Sequence, residues 1–490
     1  MKPQVGRVPG EEEWAEHTPV RSAIIAERRS GGAMGRYENL FEPLQVAGVT
    51  IPNRIVRTAH GTGLSGEGLI AYHEARARGG VGMSILHSSG VHADVPAGNP
   101  VYDDAVIPSF EQLMERIRPL GMRVFQQLNH RGAAYAPTGS VHWAPSAVPN
   151  PLIGIVPTPM TRAMIDEVVE SFASAARRCK EGGLDGVEVH GASGYLVQQF
   201  LSPATNHRSD DYGGSVENRT RFLREILAAI RSEVGDDYPV GVRFSVEEYV
   251  PGGLHPEDHL EIAKMVEPFV DFVDAHTGAY WRFYKLLSPM DDPLGYEVPT
   301  SEVMTRALDV PTIVSGRIMT LDLASHLVES GVADMVSIVR GLIADPNLVE
   351  KSRTGREHEI RPCIGSNFGC VGSRMTTGRT GCVVNVAAGN ELTTTHDPED
   401  RVEHPKRVMV VGGGVAGLEA ARTAAIRGHD VVLHEANRHL GGQVTIAATA
   451  PHRADIGAIT RWLGDEIERL GVTVKLGSFV DPDMVAADPP

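Results

Sequence analysis

From Ile51 onward the sequence alternates short apolar runs with longer amphipathic patterns about eight times, and few folds accept that rhythm. An apolar run bounded by turn residues reads as a strand buried on both faces, and apolar residues at helical spacing read as helices. The expected strands are 54–58, 82–87, 123–128, 186–189, 240–244, 269–274, 312–314 and 335–338, with helices at 110–120, 162–181, 216–234, 256–266 and 321–330. Such alternation makes a parallel α/β sheet, and eight strands close it into a (β/α)8 barrel of the TIM type. A barrel of that kind takes about 250 residues, so a chain of 490 has room for a second domain.

Barrels of this type react at the loops that follow the strands, so the residues there carry the functional expectation. In order they are Thr58 and His60; Ser88; Gln127 and His130; His190, Ser193 and Tyr195; Arg243; His276 and Thr277; Ser315, Gly316 and Arg317; Val339 and Arg340. Nearly every strand end supplies a polar or cationic group above an apolar strand. The last two ends, SGRI and VRG, each run into a helical pattern with glycine, backbone donors and arginine together, which suits a phosphate. A phosphorylated cofactor is therefore expected at Ser315, Gly316, Arg317, Val339 and Arg340, with Gln127 and Arg243 facing the polar edge of a flat ring.

The stretch from Gly183 to Glu225 holds the densest chemistry. A strand runs out into His190, Ser193 and Tyr195, then a polar segment from Asn206 to Gly214 leads to Ser215, an N-cap residue ahead of the next helix. This stretch, VEVHGASGYLVQQFLSPATNHRSDDYGGSVENRTRF, resembles the signature of the Old Yellow Enzyme family almost throughout. NRIV at Asn53, QLNHRGA at Gln127, GVRFS around Arg243 and ADMVSIVRGLIADPNL at Ala333 extend the resemblance over residues 36–355. It implies an FMN-binding barrel, with Thr58, Gln127, Arg243 and the phosphate residues on the cofactor. His190 then binds a substrate oxygen, and Tyr195 donates a proton to a substrate carbon. Ser193 departs from the family, where asparagine or histidine often supplies a second donor. The polar segment is expected to be scaffold.

The net charge of −16 argues against a nucleic-acid surface. No run of about 18 uncharged apolar residues and no secretory leader is seen, so a cytoplasmic enzyme acting on a small molecule is expected. Self-association is left open. Three of four cysteines, Cys363, Cys370 and Cys382, fall within twenty residues, which in a reducing compartment indicates a metal. In the subfamily that resembles 2,4-dienoyl-CoA reductase and trimethylamine dehydrogenase this segment carries four cysteines around a [4Fe-4S] cluster. Ser366 stands where the second is expected, so a cluster would rest on three thiolates with Ser366 or an exogenous fourth ligand.

KRVMVVGGGVAGLEAARTAAIRGHDVVLHEA combines a strand, a turn with Gly412, Gly414 and Gly417, a helix and a second strand ending in Glu435. The whole unit, rather than the glycines alone, indicates a dinucleotide site for FAD or its ADP moiety. The expected organisation is a disordered extension (1–35), an FMN-binding barrel (36–355), a cysteine-rich iron-sulfur segment (356–391), a linker (392–405) and a partial Rossmann-type domain (406–490). Relatives of this architecture run on further, so a fragment is expected. The resemblance implies electrons passing from NAD(P)H through FAD and the cluster to FMN, and then to an activated C=C bond. Two alternatives stand beside it: an amine dehydrogenase or demethylase with Tyr280, Trp281 and Tyr284 as an aromatic cage, and a non-catalytic electron-relay module. Arg282, where the dienoyl-CoA enzyme's second histidine aligns, argues against that substrate.

Overall fold

A computed structural model of the chain describes residues 37–134, 142–151, 154–396 and 401–487. The extension expected over residues 1–35 lies outside them, as does part of the expected linker. Eight parallel strands form a closed barrel: β1 (Ile55–Arg57), β2 (Met83–Gly90), β3 (Arg123–Asn129), β4 (Gly186–Gly191), β5 (Val240–Ser245), β6 (Phe272–His276), β7 (Thr312–Val314) and β8 (Met335–Ser337). β8 pairs back onto β1 through Val336↔Ile55 and Ser337↔Val56. Every expected strand is found. Helices Arg162–Glu181, Val216–Val234 and Pro256–Val266 have the expected bounds. Ser215 accepts a hydrogen bond from the Asn218 N–H at 3.2 Å, satisfying one of the free donors at a helix start.

The sequence reading passed over helix Gly66–Arg78 along with several shorter ones, and its burial explains why. Its inward face carries Tyr72, His73, Glu74 and Arg76 among its apolar residues, so the apolar period is broken. The Arg76 guanidinium lies 3.4 Å from the Tyr72 ring centroid and pairs with Glu391 at 2.9 Å, which offsets the cost of burying the charge.

The barrel interior changes character with height. An antiparallel hairpin (Leu44–Val46 with Val49–Ile51) packs Val46 and Ile51 against Val56, Met83, Ile85, Phe125, Phe272, Ile313 and Met335, forming a dry apolar cluster. Phe125 and Phe272 meet edge to face at 5.6 Å, and they fit because β4 and β5 present Gly186 and Gly241 there. A Cβ at Gly241 would lie 2.2 Å from the Phe272 ring, and one at Gly186 2.6 Å from Phe125. Side chains alternate across a strand, so residues two steps on face the same interior. Those residues are Thr58, Gln127, Glu188, Arg243, Asp274, Ser315 and Ser337. The interior thus passes within one layer from apolar to polar and charged.

A second sheet of three parallel strands, β9 (Arg407–Val411), β10 (Asp430–Glu435) and β11 (Thr473–Leu476), has β10 in the centre. Helices Val415–Ile426 and Ala458–Arg469 pack against it through Leu418, Ala421, Leu433, Trp462 and Leu463. Ala344, Val384, Cys363 and Cys382 join that apolar cluster, so the cysteine segment shares a core with the second sheet. Arg361 holds Glu419 through two bonds of 3.0 and 2.9 Å and lies 4.5 Å from the Trp462 ring centroid. Among the described residues no helix is long and apolar enough to cross a membrane.

Candidate active site

The chain turns sharply where β4 ends. Ser193 takes a left-handed backbone (φ 63°), its N–H donates to Ser245 Oγ at 2.9 Å, and its carbonyl accepts from the Tyr280 N–H at 3.3 Å. That bridge stitches the loop after β4 to the loop after β6. It also delivers Tyr195 to the start of helix Leu196–Leu201, with its ring edge to face against His190 at 4.9 Å. Both residues are buried. Burial, reinforced by Arg243, holds the His190 imidazole well below its ordinary pKa, and burial holds the Tyr195 phenol well above its own. Both groups are therefore neutral near pH 7, and each retains a proton to donate. His190 Nδ1 has no partner, while the Tyr195 hydroxyl lies 2.8 Å from that of Tyr280.

Beneath them lies a polar layer. Gln127 Nε2 donates to Glu188 Oε1 at 2.6 Å, and Arg243 NH1 is 3.2 Å from Asp274 Oδ2. Glu188 and Asp274 are fully buried, and each carboxyl influences the protonation of the other. Burial first, and then the mutual repulsion of two carboxylates, keeps Glu188 protonated above the ordinary range. Burial raises Asp274 as well, with the Arg243 guanidinium opposing the rise. His276, held neutral by burial, lies 3.3 Å from Ser245 Oγ. Sequence reading passed over Glu188, Asp274 and Ser245. The available signal was strand alternation, which places Glu188 on the face of His190, and Asp274 on that of His276.

Ser315, Gly316 and Arg317 follow β7, and Val339 and Arg340 follow β8 at the start of the short helix Arg340–Ala344. Gly316 backs onto Glu297, where a Cβ would meet the Glu297 Cβ at 2.6 Å. Arg340 NH1 bonds the Ser288 carbonyl and Asn367 Oδ1, both at 2.7 Å, and Arg317 NH2 reaches Asp455 at 2.5 Å. Thr58 and Ser337 share a hydroxyl contact of 2.7 Å at the join of β1 and β8. Arg243 Nε, Ser315 Oγ and Arg317 Nε are buried without hydrogen-bond partners. Buried polar atoms are rarely left so, and those at the barrel mouth fit an anionic, flat, phosphorylated group such as FMN.

In the cysteine segment, Cys363 Sγ accepts from the Gly365 N–H at 3.5 Å, and Ser366 Oγ accepts from the Phe368 N–H at 3.4 Å. Burial, and then the neighbouring Cys363, raises the Cys370 thiol; burial pushes Cys382 up to about 11, with the Val384 N–H opposing. Among the described residues no three His, Cys, Asp or Glu side chains are placed to hold a single metal ion. The Cys363 sulfur does receive a backbone donor, a feature that thiolates of an iron-sulfur cluster share.

In the second sheet, Gly412 and Gly414 form the turn between β9 and the helix Val415–Ile426, and Gly417 lies in that helix's first turn. A Cβ on Gly417 would lie 1.9 Å from the Gly412 carbonyl oxygen, so the close approach of helix to strand requires glycine. Glu435 ends β10 with Oε2 accepting from the Gly413 N–H at 2.6 Å and Oε1 from the Asn437 N–H at 2.7 Å. Those N–H groups lower its pKa and keep it ionised. The turn and the acid thus meet, as a dinucleotide site requires.

Residues 407–471 match the FAD dependent oxidoreductase family. The chain is 40% identical over 471 residues to an NADH oxidase of Thermoanaerobacter brockii, covering 93% of this chain and 72% of that protein. It is 36% identical over 460 residues to a multifunctional alkene reductase/demethylase of Caballeronia cordobensis, covering 90% and 66%. A solved complex of 2-naphthoyl-CoA reductase superimposes with a TM-score of 0.86 at 31% identity, over 92% of this chain and 72% of that one. The eight-stranded barrel, with its polar mouth, lies within the 39–359 span that matches NADH:flavin oxidoreductase / NADH oxidase, and the chain belongs to that family of flavin-dependent oxidoreductases.

Proposed function

We propose that the chain is an ene-reductase, which reduces a C=C bond conjugated to a carbonyl. The observation that carries this reading is the pair of neutral, buried proton donors, His190 and Tyr195, 4.9 Å apart above the Arg243 layer. Neutral His190 donates a hydrogen bond to the substrate oxygen, where negative charge develops, and Tyr195 delivers the proton to the α-carbon. FMN, when bound, supplies the hydride that goes to the β-carbon. Thr58, Gln127 and Arg243 would hold its ring edge, and Ser315, Gly316, Arg317, Val339 and Arg340 its phosphate. Arg243 would supply positive charge to the reduced ring, and Glu188, raised by burial, would leave that cation less fully neutralised.

Gly412, Gly414, Gly417 and Glu435 would hold FAD or its ADP moiety, with NAD(P)H as the donor. Cys363, Cys370 and Cys382 would carry a [4Fe-4S] cluster with Ser366 or an exogenous fourth ligand. Iron and labile sulfide measured on anaerobically purified protein tests that part, and finding neither removes the cluster.

The demethylase activity in one relative's name keeps amine oxidation as the second reading. The aromatic residues expected as its cage make separate contacts. The Tyr280 hydroxyl meets Tyr195, Trp281 packs on Gly194, and Tyr284 is 58% exposed, with the Lys285 ammonium 5.9 Å from its ring centroid. Anaerobic mixing separates the readings. Reduced holoenzyme reoxidised by 2-cyclohexenone supports ene-reduction, and oxidised holoenzyme bleached by an alkylamine supports amine oxidation. Silence with both supports an electron-relay module. Tyr195→Phe is expected to slow reoxidation by the enone about 100-fold while flavin reduction is unchanged.

A further inference from the structure

Tyr195 has a difficulty that its own geometry creates. It is 8% exposed, and after giving up a proton it would hold a phenolate in a site that strongly disfavours one. Its hydroxyl has one neighbouring hydroxyl, that of Tyr280 at 2.8 Å. Tyr280 opens the short turn Tyr280–Arg282 and is only half-buried, its ring edge to face with Tyr195 at 5.3 Å and stacked on Phe283 at 6.1 Å. The contact is built into the fold. Ser193 and Ala279 bridge the two loops, the Tyr280 N–H binds the Ser193 carbonyl, and the Trp281 ring fills the space beside Gly194, where a Cβ would meet it at 2.6 Å.

We propose that Tyr280 is the proton-relay residue of this site, carrying a proton from solvent to Tyr195 after each turnover. The inference rests on Tyr195 being the donor proposed above. In the first step the Tyr195 O–H bond breaks and a C–H bond forms at the substrate α-carbon, using the electron pair of the enolate. In the second, the Tyr280 O–H bond breaks and its proton closes the Tyr195 hydroxyl. In the third, water reprotonates Tyr280. The middle step joins two like groups and needs little driving force, and it moves the charge outward to water. Among the described residues, the titratable or charged groups facing Tyr195 are His190, Arg131 and Tyr280, and of these only Tyr280 hydrogen-bonds its hydroxyl. Because Tyr280 acts through Tyr195, its loss shows in recycling of the donor rather than in the first proton transfer.

The test uses flavin-loaded full-length protein with 2-cyclohexenone and an artificial reductant in excess. Tyr280→Phe is expected to leave the first anaerobic turnover within about twofold of wild type, while steady-state turnover falls at least about tenfold and gains a solvent deuterium isotope effect. Tyr280→His, which keeps an exchangeable proton, recovers part of that loss. Equal slowing of the first and later turnovers would make Tyr280 a packing residue and overturn the relay, and so would unchanged steady-state turnover. If Tyr195→Phe leaves the first turnover unchanged, the donor assignment itself fails, and the relay with it. A second readout needs no cofactor. In the flavin-free protein, the ionisation assigned to Tyr195 by difference against Tyr195→Phe should move to lower pH in Tyr280→Phe, because the Tyr280 contact helps hold the Tyr195 phenol up. An unchanged titration removes the hydrogen bond on which the relay depends.

Discussion

The barrel mouth and the glycine turn both suit anionic groups, but with different parts of the chain. The mouth presents side chains gathered from seven of the eight strands, between Thr58 and Ser337, into one layer of acids, amides, hydroxyls and a guanidinium group. The turn presents backbone between Val411 and Glu435, all within one strand, one helix and the next strand. A site of backbone fails sterically, at the first added carbon. A site of buried side chains fails electrostatically, and the fold outlasts the loss.

The sharpest test of that difference is Gly417→Ala. Its new methyl would lie 1.9 Å from the Gly412 carbonyl oxygen, and neither backbone can yield cheaply. Loss of FAD and destabilisation of the second sheet by several kcal/mol are expected, with FMN content unchanged. Flavin extracted from purified protein reads both, and retained FAD would remove the steric argument. Next is Arg243→Ala, which leaves Asp274 and Glu188 buried without their cation. Asp274 should then take a proton, and FMN affinity is expected to fall about 100-fold, or about 3 kcal/mol. Equilibrium binding of FMN to the flavin-free protein measures this, and the barrel should still fold.

A smaller effect separates scaffold from site. Burial raises Glu248 to about 7 despite bonds from Gln198 and Ser202, both at 2.8 Å. A carboxyl raised in the folded state favours folding fully below its unfolded pKa, and that contribution is lost as pH rises through the folded value. Between pH 5 and 7 the wild type should lose on the order of 2 kcal/mol relative to Glu248→Gln, read from denaturant unfolding at each pH. Parallel pH profiles would place the proton elsewhere. The smallest effect is at Ser215, whose cap spans 3.2 Å to the Asn218 N–H. Ser215→Ala should cost about 1 kcal/mol and leave both flavins bound.

The eight strands, the three helices with matching bounds and the glycine turn were legible because each depends on residues close in sequence. Strand ends carrying Thr58, Gln127, His190, Arg243 and Ser315 could be named for the same reason. Glu188 and Asp274 could not, since a polar residue inside an apolar strand acquires meaning only when a partner from another strand lies opposite. Helix Gly66–Arg78 was missed on similar grounds, because its buried Arg76 is balanced by Glu391, far along the chain. The polar segment from Asn206 to Gly214 is scaffold, as expected: Asn206 Nδ2 binds the Phe200 and Tyr212 carbonyls, and Arg219 binds those of Leu201 and Gly214.

By itself the sequence determined the barrel, the nucleotide turn and the place of His190 and Tyr195 at the end of a barrel strand, because apolar period, glycine placement and strand order act locally. Tertiary structure decided the protonation of Glu188, the union of the cysteine segment with the second core and the meeting of Tyr195 with Tyr280. Each of these depends on burial and on groups brought together from distant segments, and desolvation is a property of the packed interior rather than of any one stretch of chain.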